Sequence, residues 1–199
     1  MLCNLQLCKG EDLEQAGDTT GAVGQFREAR RIAESSDEAS VHNSLGVFFR
    51  RHNWPMFAEE EYRKALNSEH LTGFERANVL VNIGNLQKDR GGLIEAINLY
   101  TMALKINGDN RDAKYNLALA TAYLSINRNQ PVQAAQQFEN ALALSGSDPR
   151  LNFNLAIIYD QNLKDTTRAI YNYRQFLELA PERPESEQVR RRLAELSRR

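Results

Sequence analysis

The stretch at residues 84–103, GNLQKDRGGLIEAINLYTMA, decides the fold. It begins with Gly84, reaches Ala96 twelve residues later, and continues with Tyr100 and Ala103 at spacings of four and three. Residues three and four apart share one face of an α-helix, whereas residues on one face of a strand alternate. The glycine pair at 91–92 interrupts the stretch and is typical of a turn. The stretch therefore predicts two short helices joined by a tight turn.

The pattern of the second helix recurs along the whole chain. Each copy has an alanine, an aromatic residue four positions on, and usually a small residue three positions after that. The steps between the first alanines are 36, 38, 38 and 35 residues, which indicates a repeat protein. The copies are Ala22-Phe26-Ala29, Ala58-Tyr62-Ala65, Ala96-Tyr100-Ala103, Ala134-Phe138-Ala141 and Ala169-Tyr173-Phe176.

A small residue in the first helix of each copy completes the pattern. It follows an apolar residue in every copy except the first, where Lys9 takes that place. We expect the small residue to admit a neighbouring helix, and the aromatic residue to fill the space between helices. One such pair cannot bury its apolar face alone, so the copies must stack side by side. The small residues are Gly10, Gly46, Gly84, Ala118 and Ala156.

Turn and cap residues agree with this division. Gly17, Asn53 and Gly91 stand where a first helix should turn into a second. Pro55, Pro131 and Pro149 stand where helices should begin, and proline is tolerated in the first turn. Asp148 before Pro149 predicts an N-cap, and Gly108 and Gly146 are typical of helix C-termini.

These residues resemble the tetratricopeptide repeat family, whose unit is a helix-turn-helix of about 34 residues. The family's opening tryptophan is absent from all five copies, and its closing proline survives only as Pro181. The resemblance implies an all-α, right-handed superhelical solenoid of antiparallel helix pairs forming a single domain over residues 1–199. The expected repeats cover about 3–36, 39–72, 77–110, 111–148 and 149–182.

Two departures from regular spacing mark local changes. The distance from the small residue to the alanine is 12 residues in the first three copies, 16 in the fourth and 13 in the fifth. We expect an insertion near residues 125–130, and a third unit whose first helix starts early after the connection 67–73. Beyond Pro181, residues 184–199 place Val189, Leu193 and Leu196 on one helical face, which predicts a helix that caps the last repeat.

Composition excludes several classes of protein. The 25 Lys and Arg residues balance 26 Asp and Glu residues, so a strongly basic nucleic-acid-binding protein is not expected. The longest uncharged stretch, 115–127, is shorter than the roughly 20 residues that a transmembrane helix requires. No basic residue precedes the apolar N-terminal stretch, so a signal peptide is not predicted. We expect a cytoplasmic protein, or a periplasmic or membrane-anchored one if a leader has been removed.

Side chains for catalysis or metal binding are not grouped in the sequence. His42 occupies the slot of the family tryptophan, while His52 and His70 fall near expected helix ends. None is spaced from a cysteine or carboxylate as metal ligands are. Cys3 and Cys8 are read as free thiols, with lipid attachment to Cys8 as the alternative. We therefore expect no cofactor, no metal and no enzymatic activity.

The expected concave groove supplies the candidate binding site. Asn82, Asn116 and Asn154 each lie two positions before the small residue of their repeat. An asparagine side chain both donates and accepts, so three in register suit the backbone of an extended peptide. This resembles the asparagine ladder of some family members, although bonds to neighbouring helices are the alternative. Apolar contact would come from Tyr115, Leu119, Phe153 and Ile157.

A second family feature is matched only in part. Some members grip the terminal carboxylate of chaperones with five polar residues, and Asn85, Asn116 and Arg150 match three of these places. Val81 and Asn154 stand where the family has a lysine and an arginine, so carboxylate clamping is not expected.

Three functional hypotheses follow from the sequence. The first is a non-enzymatic adaptor or scaffold that binds a peptide or helix of a protein partner in its groove. The second is a self-assembling structural protein, with residues 1–7 as a loose donor segment for another copy. The third is a bacterial envelope or pilus-assembly lipoprotein whose leader was trimmed.

Overall fold

The computed structural model describes residues 2–36 and 39–197. Within these residues the chain forms helices and no strand, and the helices follow the predicted order. Their bounds are α1 Leu2–Gln15, α2 Thr19–Ser36, α3 Ala39–Arg51, α4 Pro55–Asn67, α5 Gly73–Asp89, α6 Leu93–Ile106, α7 Arg111–Asn127, α8 Pro131–Ser145, α9 Pro149–Ile157, a π-helical turn Ile158–Asn162, α10 Thr166–Leu179 and α11 Ser186–Leu196. The prediction of an all-α fold is confirmed.

Helices pack in consecutive antiparallel pairs, each pair being one repeat. The small residue of the first helix meets the ring of the second. A Cβ atom built on Gly84 would lie 2.5 Å from Cε1 of Tyr100, a side chain that is fully buried. Gly10 meets Phe26 and Gly46 meets Tyr62 in the same way. The glycines are therefore required by the close approach of an aromatic ring.

The turns between paired helices share one backbone conformation. Each has a left-handed residue five positions before the first alanine of the second helix. Three of the five were predicted from the sequence, whereas Asn129 and Lys164 were not. Asparagine adopts the left-handed conformation more readily than most residues do. The five residues are Gly17 (φ 82°), Asn53 (φ 59°), Gly91 (φ 82°), Asn129 (φ 56°) and Lys164 (φ 57°).

The predicted caps are present. Pro55, Pro131 and Pro149 lie in the first turns of α4, α8 and α9. The side chain of Asp148 accepts a hydrogen bond of 2.9 Å from the backbone N–H of Arg150, as an N-cap does. Gly146 ends α8 with φ 80°. These residues set the starts of α4, α8 and α9 and the end of α8.

Both spacing irregularities are absorbed inside helices. The 16-residue spacing extends α7 to Asn127, about one turn beyond the ends of the other first helices. The single extra residue of the fifth repeat becomes the π-helical turn Ile158–Asn162, since a π-helix holds one more residue per hydrogen-bonded ring. The early start of the third repeat is confirmed, because α5 begins at Gly73 behind a capping box formed by Thr72 and Glu75.

The chain divides into two compact units, residues 1–110 and residues 111–199. Each has a separate apolar core. The core of the first unit centres on Leu45, Phe48 and Tyr62, and that of the second on Phe138 and Leu155. The expectation of a single domain over residues 1–199 stays a prediction.

The C-terminal helix packs as the sequence predicts. Val189 and Leu196 of α11 are buried in the core of the second unit, and Leu193 packs against it. The side chain of Ser186 donates a hydrogen bond of 2.8 Å to the backbone oxygen of Ala180, which fixes the start of the helix. The helix is shorter than predicted, and Arg198 and Arg199 lie outside the described residues.

Candidate peptide-binding surface

Asn82 in α5 bonds to another side chain of its own unit. Its Nδ2 donates to Oδ1 of Asn43 in α3 at 2.9 Å, and both side chains are half-buried. This is the interhelical bond that the sequence analysis left as the alternative. Part of the hydrogen-bonding capacity of the Asn82 side chain is therefore used in joining α3 to α5.

Asn116 and Asn154 lie in the second unit with different surroundings. Nδ2 of Asn116 donates to the backbone oxygen of Asp112, one turn earlier in α7, at 2.9 Å. The side chain of Asn154 is half-buried and forms no hydrogen bond with any residue that the structure describes. Buried amides normally have partners, so Asn154 is the asparagine most available to a ligand.

Asn85 supports the fold of the first unit. Its Oδ1 accepts a hydrogen bond of 2.8 Å from the hydroxyl of Tyr100, whose ring packs against Gly84. Burial raises the pKa of that tyrosine hydroxyl, so it stays a proton donor over the whole neutral range. Asn85 therefore satisfies a buried hydroxyl.

Arg150 and Tyr115 meet at the N-terminus of α9. Both bind Asp148: the Arg150 guanidinium donates at 2.8 and 3.1 Å, and the Tyr115 hydroxyl donates at 3.2 Å. The Arg150 hydrogen bond holds the pKa of the Asp148 carboxyl below its ordinary value. Burial and the nearby Asp148 charge raise the pKa of Tyr115. Arg150 is thus committed to an internal ion pair.

The remaining apolar candidates are half-buried against the core of the second unit. Leu119 and Phe153 pack on this core, and the Phe153 ring lies 5.1 Å from the ring of Phe176 in α10. Ile157 is also half-buried and ends α9. Each of these side chains presents only part of its surface, which suits contact with a ligand from one side.

Phe153 and Ile157 line a cleft of about 330 Å³ between α9, the π-helical turn and α11. We call it the end cleft. Its other lining residues are Asp160, Gln161, Tyr173, Gln188, Val189, Arg191, Arg192 and Glu195. The cleft therefore joins two predicted groove residues to a polar wall that the sequence analysis did not assign to the site.

An ion pair holds α11 against the π-helical turn. Asp160 is buried and accepts two hydrogen bonds from Arg192, at 2.6 and 2.7 Å. It also accepts a bond of 3.3 Å from the hydroxyl of Tyr173. Hydrogen bonding by Arg192 is the main reason that the pKa of Asp160 lies below its ordinary value. In the sequence, the one sign of the π-helical turn was the 13-residue distance from the small residue to the alanine in the fifth repeat.

Two histidines lie beside carboxylates of other helices. Nδ1 of His42 lies 2.8 Å from Oε2 of Glu61, with both side chains buried, and His52 lies 3.1 Å from Glu14. Burial favours a raised pKa for Glu61, but hydrogen bonds from His42 and Lys64 outweigh it and lower the pKa. These contacts join different helices, so local spacing could not indicate them. Within the described residues no group of three or more His, Cys, Asp or Glu residues is arranged to hold a metal.

The expected donor segment at the N-terminus is not loose where it is described. Residues 2–7 belong to α1, and Leu7 is buried in the core of the first unit. Met1 lies outside the described residues. Exchange of this segment between copies would therefore require part of α1 to leave its core.

Comparisons with known proteins extend the family resemblance. No family model matches the chain. The chain is 30% identical over 160 residues to the type IV pilus assembly protein PilF of Pseudomonas aeruginosa, covering 79% of this chain and 60% of that protein. The solved structure of Pseudomonas aeruginosa PilF matches with TM-score 0.71 and 26% identity, over 99% of this chain and 85% of that one.

A solved tetratricopeptide repeat protein from Parabacteroides merdae matches with TM-score 0.61 and 19% identity, over 98% of this chain and 73% of that one. Helix pairs and left-handed turns repeat in the same order along the described chain, with a glycine against the ring in the first three repeats and an alanine at that position in the last two. The chain is a tetratricopeptide repeat protein.

This tetratricopeptide repeat protein also resembles part of a much longer protein. It is 28% identical over 184 residues to human protein O-mannosyl-transferase TMTC3, covering 86% of this chain and 19% of that protein. The chain thus spans less than two thirds of the length of either relative. Among the residues that the structure describes, no helix has the length and apolar character needed to cross a membrane.

Proposed function

We propose that this chain is a non-enzymatic adaptor or scaffold that binds a peptide or helix of a protein partner. The binding surface consists of Asn116, Tyr115, Leu119, Asn154, Phe153 and Ile157 of the second unit, and continues into the end cleft. Within the first unit, the same repeat position assigns this role to Asn82. The observation that carries the proposal is Asn154, a half-buried amide with no described partner beside two half-buried apolar side chains.

The chemistry of the surface suits a peptide. Asn154 offers one acceptor and two donors, enough to bond to both groups of one peptide unit. Phe153 and Ile157 offer apolar contact next to it, and Gln161 and Gln188 of the end cleft add neutral polar groups. A mixed surface of this kind binds main chain through amides and apolar side chains through the cleft.

Arg150 and Asn85 have supporting roles in this proposal. Arg150 holds Asp148, the cap of α9, and so fixes the helix that carries Asn154 and Phe153. Asn85 holds the ring of Tyr100. Replacing either residue would change partner binding through the position of a helix.

Site-specific photo-crosslinking tests the surface. A photo-reactive phenylalanine analogue at position 157 is irradiated in native lysate, and adducts are identified by mass spectrometry. The matched control carries the analogue at position 174, an exposed residue of α10 in the same unit. We expect one dominant protein adduct from position 157 and none of that protein from position 174. Equal yield of the same adduct at both positions, or no adduct at 157, contradicts the proposal.

A role in type IV pilus assembly is the second candidate. It is favoured by the match to Pseudomonas aeruginosa PilF, which runs through nearly the whole of this chain. Such a role would place the protein in the bacterial envelope, the location expected from the sequence as the alternative to the cytoplasm. Deleting the gene from its host should abolish surface pili, with recovery on complementation. Normal pili in the deletion strain would exclude this role and leave the adaptor proposal standing.

A further inference from the structure

A second cleft lies in the first unit and shares no lining residue with the proposed peptide-binding surface. It is formed by α2, the end of α3 and the start of α4, and has a volume of about 260 Å³. We call it the aromatic cleft. Its lining residues are Val23, Phe26, Arg27, Arg30, Phe49, Trp54 and Phe57.

Aromatic rings that contact one another line the aromatic cleft. Phe26 and Phe49 are buried and form the floor, whereas Trp54 and Phe57 are 39% and 47% exposed. The Phe49 ring lies 5.9 Å from the Trp54 ring and 5.6 Å from the Phe57 ring. The exposed rings are thus held in place by buried ones, which gives a preformed apolar surface open to solvent.

The repeat framework does not require these exposed rings. The residues aligned with Trp54 in the other repeats are Asp18, Gly92, Gln130 and Asp165, and those aligned with Phe57 are Gly21, Glu95, Gln133 and Arg168. Asp18 and Asp165 cap their helices with side-chain hydrogen bonds, whereas Trp54 makes none at the start of α4. An N-cap side chain contributes about 1 kcal/mol, so the second repeat lacks that contribution while exposing apolar surface.

The charged side chains at the edge of the aromatic cleft indicate which kind of ligand fits it. Arg30 lies 3.0 Å from Glu60 and 3.2 Å from Glu61, and its guanidinium lies over the Phe57 ring, so its charge is balanced. Arg27 is exposed and forms no ion pair with any residue that the structure describes. None of the described residues that line the cleft is acidic. An acidic group next to an apolar side chain therefore complements the site.

We propose that the aromatic cleft binds an acidic peptide segment of another protein. A bulky apolar side chain of the segment packs on the exposed parts of the Trp54 and Phe57 rings, and an adjacent carboxylate pairs with Arg27. A volume of about 260 Å³ is below the roughly 300–1,000 Å³ of small-molecule sites, so it suits a side chain or two. None of the residues that line this cleft belongs to the peptide-binding surface proposed above.

Trp54 reports occupancy of the cleft directly, because it is the single tryptophan of the chain. The full chain is titrated with a synthetic peptide, acetyl-Ser-Asp-Asp-Leu-Phe-Asp-Ser-amide, while tryptophan emission is recorded. We expect a saturable blue shift, because the peptide displaces water from the indole. Peptides with lysine in place of aspartate, or serine in place of leucine and phenylalanine, should bind at least about tenfold more weakly.

Two charge reversals separate a site from general attraction. Arg27→Glu should weaken binding of the acidic peptide about tenfold, because it places a carboxylate at the rim. Arg63→Glu is the matched control, since Arg63 occupies the same place in the second repeat and is also exposed. It should leave the affinity unchanged. Circular dichroism melting of both variants should match the unsubstituted chain, which shows that folding is intact.

Several results would overturn the proposal. These are no emission change up to millimolar peptide, equal binding by the lysine peptide, or equal weakening by Arg27→Glu and Arg63→Glu. A blue shift caused by phosphatidylcholine–phosphatidylglycerol vesicles but not by the peptide would assign the rings to a membrane instead. A blue shift that appears on raising protein concentration alone would assign them to a second copy of the chain.

Discussion

The glycines of the first helices show how single residues determine this fold. At Gly84 an added methyl group would meet a buried tyrosine ring, whereas at Gly24 in α2 it would meet nothing within 4 Å. Both glycines lie inside helices, where glycine is less favourable than alanine by about 1 kcal/mol. The difference between them is therefore the packing of the ring.

Gly84→Ala should destabilise the protein by about 1–3 kcal/mol, because the Tyr100 ring is fully buried and cannot move aside cheaply. Gly24→Ala should instead stabilise it by about 0.5–1 kcal/mol through helix propensity. Urea denaturation followed by circular dichroism measures both changes. Equal stabilisation by the two substitutions would mean that Gly84 and the Tyr100 ring are not in close contact.

At the residue scale, the sequence patterns predicted which residues share a helical face better than they predicted which hydrogen bonds the side chains form. The notch glycines and their rings were placed correctly because their spacing reflects one helical face. The partners of the asparagines were not predictable, since Asn82 bonds across helices and Asn116 bonds within its own helix. The His42–Glu61 contact likewise depends on the packing of two helices that are distant in sequence.

At the scale of elements, the repeat spacing predicted which repeats depart from the regular helix pair, but it did not predict the form of the departure. Four additional residues lengthened α7 by a turn, and one additional residue produced the π-helical turn. Four residues fit a helical turn closely, whereas a single one shifts every later side chain unless the helix widens locally. The widened turn carries Asp160, whose pairing with α11 had no signal in the sequence apart from that spacing.

Asp160→Asn should lower stability at pH 7 by about 1–3 kcal/mol, because a buried pair loses a charge while Arg192 keeps partial access to water. The pKa of folded Asp160 lies below its ordinary 3.8, so the pair stabilises the fold above that pH. This stability is lost as the pH falls through the folded pKa. The gap between the melting temperatures of the two proteins should therefore narrow below about pH 4.

Exposed Glu182 in the same unit provides the control for this pH series. Glu182→Gln should leave the melting temperature close to that of the unsubstituted chain at pH 7. A gap for Asp160→Asn that stays constant from pH 7 to pH 2 would contradict the ion-pair account.

Ending the chain at Pro181 removes α11 and should promote aggregation. The deletion uncovers the core surface that Val189 and Leu196 bury in the last repeat. Static light scattering and thermal melting of the shortened and full chains measure the effect. Equal solubility and equal melting would show that α11 is not a cap.

At the scale of the whole molecule, five similar repeats form two compact units with separate cores. The repeat pattern runs evenly through residue 110, so the sequence carried no indication of this division. Leu45 and Leu155 are both almost fully buried, one in each core. They allow the independence of the units to be tested in the intact chain.

Leu45→Ala and Leu155→Ala should each cost about 2–5 kcal/mol, because each opens a cavity in one core. Hydrogen exchange with mass spectrometry should show faster exchange mainly within 1–110 for the first variant and within 111–199 for the second. Equal acceleration throughout the chain in both variants would contradict separate cooperative units.

The central functional claim is that Asn154 and its apolar neighbours bind a partner rather than stabilise the fold. The most direct measurement is the affinity of the partner captured at position 157 for the intact chain and for Asn154→Ala, taken together with both melting temperatures. We predict affinity about tenfold weaker, since two hydrogen bonds to the peptide are lost, and an unchanged melting temperature. Unchanged affinity, or a matching fall in melting temperature, would contradict the claim.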